Sequence, residues 1–201
     1  KNSSVGALPV PIELIGQTTI GASLGEASVN NSLKAGIIGL AAAALFMLIF
    51  YRLLGLLAVF ALAIYTFLSL AIFEIIPVTM TLAGVAGFIL SIGMAVDANI
   101  LIFERTKEEL RKGKSLNTAI ENGFRRAWAS IRDSNISSII TCVILAWFGT
   151  SIIKGFAITL AIGILVSMFS AITITRTFLR MIVNRHLENK LVLFGVNKKK
   201  Q

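Results

Sequence analysis

Long apolar runs separated by short charged clusters organise the chain. Lys34 and Arg52 enclose 17 uncharged residues, Arg52 and Glu74 enclose 21, and Glu74 and Glu104 enclose 29 positions interrupted only by Asp97. Further on, Asp133 and Lys154 enclose 20, and Lys154 and Arg176 enclose 21. A bilayer core of ~30 Å is crossed by about 20 helical residues, so each run is one membrane span long or slightly more. Five transmembrane helices are predicted, at about 34–51, 54–73, 78–103, 134–152 and 155–180. Residues 1–32 lack such a run. Pro9 and Pro11 precede a stretch of strand character at 12–20, and Gly21, Gly25 and Asn30-Asn31 punctuate the remainder. A lone strand is not stable in water, so 1–32 reads as the end of a larger extracytoplasmic domain. The expected fold class is an all-α membrane protein of five helices, preceded by a short extracytoplasmic β segment.

Between the third and fourth spans lies a polar segment, 104–132. Glu104 to Arg111 extends the third helix, Lys112-Gly113 stops it, and Ser115 is placed to cap a second helix. Leu116, Ala119, Ile120, Phe124, Ala127, Trp128 and Ile131 then recur at helical spacing, opposite Asn117, Glu121, Arg125 and Arg132. This pattern predicts an amphipathic helix lying at the membrane interface, with Trp128 at headgroup level. Residues 184–201 form a basic tail ending in Lys198-Lys199-Lys200, suited to solvent near anionic lipid.

Composition sharpens the picture. Apolar residues make up 56% of the chain and charged residues 14%, against roughly 25% charged in an average soluble domain. The net charge of +9 therefore belongs to a membrane protein and not to a nucleic-acid-binding one. The segments around Arg52, 104–132 and 176–201 hold 16 of the 19 Lys and Arg residues. With five spans these segments fall on one face, which is expected to be cytoplasmic. That places the N-terminus outside and the C-terminus inside. A chain that begins at Lys1 outside, with no signal peptide of its own, is expected to follow an earlier transmembrane helix. The single cysteine, Cys142, excludes an internal disulfide and a cysteine metal cluster, and reads as a small buried hydrophobe. The single histidine, His186, reads as solvated. No metal or cofactor is expected, and one Cys with one His builds no conventional enzyme site.

Asp97 is the one acidic or basic residue deep within an expected span, seven residues or about 10 Å inside Glu104. A carboxylate at that depth is expensive, and such residues mark ion or proton pathways. Gly84, Gly87, Ser91, Ala95 and Ala98 form a small-residue stripe along the same helix, which would admit a neighbour closely. Gly93 lies one turn before Asp97 and could open space, and Asn99 adds a second polar group. The fourth span enters from the same side through Asp133, Ser134 and Asn135. Ser134, Ser138 and Thr141 share a face there, expected to lie beside Asp97 and help solvate it.

These residues carry a resemblance. The run Gly93-Met94-Ala95-Val96-Asp97-Ala98-Asn99-Ile100-Leu101-Ile102-Phe103-Glu104-Arg105 resembles the fourth-transmembrane signature of the SecD/SecF protein-export family, within the RND (resistance–nodulation–division) superfamily. Ala119-Ile120-Glu121-Asn122-Gly123-Phe124, Asp133-Ser134-Asn135-Ile136 and Lys154-Gly155-Phe156-Ala157 follow in family order, and Gly6-Ala7-Leu8-Pro9 and Gly21-Ala22-Ser23-Leu24-Gly25 resemble the end of the periplasmic region. The Asp-Ala-Asn version favours the SecD side over SecF. Ser137-Ser138 stand where the family often has two threonines. The resemblance implies a half-bundle of RND type that pairs with SecF beside the SecYEG channel and acts on preproteins. It also implies that Asp97 belongs to a proton pathway. Competing readings are another RND-type exporter of lipid or drug and a purely structural scaffold.

Overall fold

The computed structural model describes residues 22–76, 78 and 80–181, and these are helical almost throughout. Helix α1 is Ala22–Tyr51, α2 is Leu53–Ile75, α3 is Leu82–Arg111 and α4 is Leu116–Phe148. A fifth rod comes next, made of α5 (Ser151–Phe169), a π-helical segment (Ser170–Thr175) and α6 (Arg176–Met181). Five helices are thus long and apolar enough to cross a membrane. A helix satisfies its backbone polar groups within itself, as hydrocarbon surroundings require. The strand character at 12–20, His186 and the basic tail 184–201 lie outside the described residues.

The structure differs from the sequence-based expectation in two places. First, α1 begins at Ala22, so Asn30 and Asn31 lie within a helix instead of punctuating a non-membrane segment. Asn in a helix interior costs only some tenths of a kcal/mol relative to Ala, which is too little to end a helix that continues into an apolar run. Second, the amphipathic stretch at 116–132 is not a separate helix. It is the first half of α4, which continues through Asp133-Ser134-Asn135 into the fourth span. Its Ala119, Ile120, Phe124, Ala127 and Ile131 are buried in one cluster with Phe103 and Leu110 of α3. Periodicity announces a buried face without saying what covers it. Here the extended end of α3 covers it, and a Cβ on Gly123 would lie 2.6 Å from Thr106 Oγ1.

Local chemistry sets the ends. Thr81 Oγ1 accepts from the Gly84 amide at the start of α3, and Ser115 Oγ accepts from the Thr118 amide at the start of α4. Gly113, at φ 79°, makes the left-handed turn that reverses the chain between them. Between α1 and α2 there is no loop: Arg52 alone, at φ 49°, turns the chain. The two helices meet so tightly that a Cβ on Gly55 would lie 2.0 Å from the Met47 carbonyl oxygen.

Helix α3 is the hub, packed against α1, α2, α4 and α5. Gly84, Gly87, Ser91, Ala95 and Ala98 are all buried, and the stripe admits α5. Thr159 Oγ1 donates to the Gly84 carbonyl at 3.0 Å. A Cβ on Gly87 would sit 2.5 Å from Thr159 Oγ1 and 2.7 Å from the Phe156 carbonyl oxygen. A Cβ on Gly163 would sit 2.2 Å from Ser91 Oγ. Ser91 donates its hydroxyl hydrogen to the Phe88 carbonyl, so the Tyr65 hydroxyl of α2, 2.7 Å away, donates to Ser91. Three helices therefore meet at one serine.

Gly87→Ala is expected to push α3 and α5 apart and to cost about 1–3 kcal/mol by overpacking, lowering the thermal unfolding midpoint in detergent. Gly39→Ala is the control, because a Cβ there meets nothing within 4 Å, and it is expected not to lower the midpoint.

Candidate functional site

The face of α3 opposite the packed stripe is bare. Ala86, Leu90, Gly93 and Asp97 are all exposed there, at spacings of 4, 3 and 4 that keep them in one line. A Cβ on Gly93 would meet nothing within 4 Å, so one turn before the carboxyl the helix surface is open. Asp97 thus looks away from its own bundle. No hydrogen bond or ion pair to another residue engages it among the described residues, and the apolar stretches of α1, α2, α4 and α5 offer no charged side chain at its depth.

Asn99 points the other way. Two residues on, about 200° around the helix, it is 4% exposed. Its Oδ1 accepts a 2.7 Å hydrogen bond from the hydroxyl of Thr175, the last residue of the π segment. Sequence reasoning did not single out Thr175. Its signal is weak: one hydroxyl in a run, Thr173-Ile174-Thr175, that reads as uninterrupted span.

The hydroxyls of α4 do not hydrogen-bond to Asp97. Ser138 Oγ donates to the Ser134 carbonyl and Thr141 Oγ1 to the Ser137 carbonyl, each at 3.1 Å, and Ser134 Oγ donates to the Ile131 carbonyl at 3.1 Å. A helical Ser or Thr has its own carbonyls within reach, and here they win over a neighbouring helix. Asp133 pairs with Arg132 at 2.9 Å on an exposed surface, while Asn135 is buried. Cys142 is buried among Ala157, Leu160 and Ile164. No group of three or more His, Cys, Asp or Glu suited to a metal exists among the described residues.

Beyond the apolar core, charge holds the helices together. Glu109, only 2% exposed, receives Lys112 and Arg126 at 2.8 Å and is also bonded by Lys114. A carboxylate this deeply covered persists only when paired. Glu121 of α4 receives Arg176 at 2.8 Å and Arg180 at 2.7 Å. The Arg176 guanidinium also covers the Phe124 ring at 4.7 Å, and Phe124 stacks on Trp128. Helical spacing puts Glu121 on a polar face and gives no reason to single out Glu109 or Arg126. Both carboxylates instead join helices.

A five-helix membrane bundle with a single unpaired carboxyl on the bare face of its central helix is the class that fold and site define. Residues 3–185 match the family described as protein export membrane protein SecD/SecF, C-terminal, and the chain belongs to that family. It is 57% identical over 197 residues to a protein translocase subunit SecD of Thermobaculum terrenum, covering 96% of this chain and 38% of the relative. It is 46% identical to a protein translocase subunit SecDF of Bacillus subtilis, covering 98% of this chain and 27% of the relative. The structure is similar to the crystal structure of SecDF, a translocon-associated membrane protein, from Thermus thermophilus, with a TM-score of 0.80 at 38% identity over 83% of this chain and 23% of that one. The chain spans well under half the length of these relatives.

Glu109→Ala is expected to loosen the α3–α4 hairpin by leaving Lys112, Lys114 and Arg126 without their shared carboxylate. Limited proteolysis at 112–115 should accelerate several-fold relative to the parent. Arg132→Ala, which breaks only an exposed pair, should leave the digestion rate unchanged.

Proposed function

We propose that the chain is the membrane half-bundle of a SecD-type subunit that couples the proton-motive force to preprotein export, with Asp97 as the proton-binding carboxyl. The observation that carries this reading is the position of Asp97: deep in an apolar span, on a bare helix face, with no charged partner among the described residues. A carboxylate facing hydrocarbon is too costly to stand alone. The face is suited to a second half-bundle that brings a polar or charged group opposite Asp97, and SecF fits that place. Family membership and the export names of the relatives support the assignment to protein translocation. In this reading SecYEG supplies the channel and preproteins are the substrate.

The basic excess supports the orientation. The ends carrying Arg105 to Arg132 and Arg176 to the C-terminus would face the cytoplasm, and the N-terminal end of α1 would face outside. A proton arriving from outside binds Asp97 and removes its charge. The pairing across the interface then changes and α3 shifts against the partner bundle. Gly93 lies one turn away with open space beside it, which suits a water or a partner side chain at the carboxyl.

The test is Asp97→Asn in the complete protein with SecF, in membrane vesicles. The component of preprotein export that depends on the proton gradient should vanish while complex assembly persists. Undiminished gradient-dependent export in that variant would return the bundle to a scaffold role. A drug- or lipid-resistance phenotype without preprotein accumulation would favour the exporter reading.

A further inference from the structure

We propose that Asn99 and Thr175 form a positioning pair that fixes the rotation of α3 and thereby the face on which Asp97 and Gly93 are presented. The inference rests on the reading of Asp97 as the proton-binding group and deepens it.

Three observations carry it. The first is the bond itself. Asn99 and Thr175 are 4% and 1% exposed, 2.7 Å apart and 76 positions apart in the chain. Among the described residues Tyr65–Ser91 is the other side-chain-to-side-chain hydrogen bond that joins different spans inside the apolar region, and Tyr51 meets Glu104 only at the end of that region. The second is the π segment. A π turn holds one more residue than an α turn, so it rotates the rest of the rod by about 100° relative to an unbroken α-helix. Thr175 closes that segment, so its inward aim depends on the irregularity. The same rotation sends Arg176 to Glu121. The third is the setting of the pair. On the N-terminal side α3 is held by close contact at Gly84, Gly87 and Ser91 and by the hydrogen bonds from Thr159 and Tyr65, and on the C-terminal side by Phe103 and Thr106 against α4. In between, Ala95 and Ala98 pack closely but carry no directional bond. A hydrogen bond has a direction, and Asn99 supplies it at the level of Asp97.

Rotation matters because, among the described residues, no other charged side chain lies at the level of the carboxyl. The charged groups nearest along α3 and α4 are Glu104 and Asp133, at the end of the apolar region. Residues 35–51, 53–73, 134–148 and 155–175 carry no charged side chain, and their ionisable groups are Tyr51, Tyr65 and Cys142. Tyr51 packs at a tilt against Phe103, under Lys107 and beside Glu104, Tyr65 is bonded to Ser91, and Cys142 is buried in its own cluster. Which way the helix turns Asp97 therefore decides what its carboxyl faces.

Dicyclohexylcarbodiimide modifies protonated carboxyls in apolar surroundings, so its pH profile at Asp97 reads proton occupancy without reference to export. The complete protein would be labelled in membranes at a series of pH values and Asp97 quantified by peptide mass, with Asp97→Asn as the blank. Thr175→Val keeps the shape and removes the hydroxyl. It should move the labelling midpoint by about half a pH unit or more, roughly a threefold change in proton affinity. Thr175→Ser keeps the hydroxyl and should restore the parental midpoint. If Thr175→Val fails to accumulate, Thr175→Ala removes the same hydroxyl and is read in the same way. A parental midpoint in the hydroxyl-less variant would overturn the proposal. So would an equal shift in Thr175→Ser, which would assign the effect to packing. The two readings fail separately. If Asp97→Asn exports normally while Thr175→Val still moves the midpoint, the positioning pair stands and the coupling role falls.

Discussion

The close contact between α3 and α5 is the constraint on which the rest depends. Glycine at 87 and 163 lets two backbones approach to where Thr159 reaches the Gly84 carbonyl and Ser91 fills the space against α5. In a membrane no hydrophobic force presses helices together, because lipid tails are as apolar as Leu, so association rests on close packing and hydrogen bonds. The stripe supplies both. It also makes α3 two-sided. Packed by α5 on one side and by α1, α2 and α4 on others, the helix keeps one bare line, and that line carries Gly93 and Asp97.

That two-sidedness is partly legible in the sequence. The gaps between charges set the number of spans, and Asp97 stands out because a carboxyl in such a gap is costly. The small-residue stripe is visible by its spacing, and it does meet a neighbour. Spacing cannot say which neighbour, because it describes one surface and not its complement. The same limit explains 116–132. Its period requires a buried face, and both lipid and a second helix satisfy a period. The extension of α3 past Glu104, itself legible in the sequence, is the available clue.

Polar groups are the harder part, for a physical reason. Ser134, Ser138 and Thr141 share a face, but a helical hydroxyl has a carbonyl of its own within reach. A shared face does not require a shared ligand. Asn99 does not satisfy its amide on its own helix in that way, and its oxygen accepts from Thr175 instead. The π segment that aims Thr175 leaves no signature in composition, since Ser170 to Thr175 reads as ordinary span. Glu109 and Glu121 look like solvated charges because a period assigns the polar face to water. Their neighbours Arg126, Arg176 and Arg180 come from other elements that only the fold brings near.

The arrangement of charges also bears on how a shift of α3 would travel. On one side of α4, Glu109 binds α3 to Arg126; on another, Glu121 binds α4 to Arg176 and Arg180. The α3–α4 hairpin buries Phe103, Leu110, Ala119, Ile120 and Ala127 together. Those contacts are too extensive for α3 to slide within its own bundle without breaking them. Packed cores move between discrete arrangements and do not deform continuously. In the proposed coupling, a proton on Asp97 would move the bundle as a body against whatever covers the bare face, while α3 stays fixed among its four neighbours. The positioning bond between Asn99 and Thr175 belongs to that rigid frame. In that coupling it would hold the carboxyl at a fixed angle to the interface, so that a change of charge there would act on the interface and not be dissipated inside the bundle.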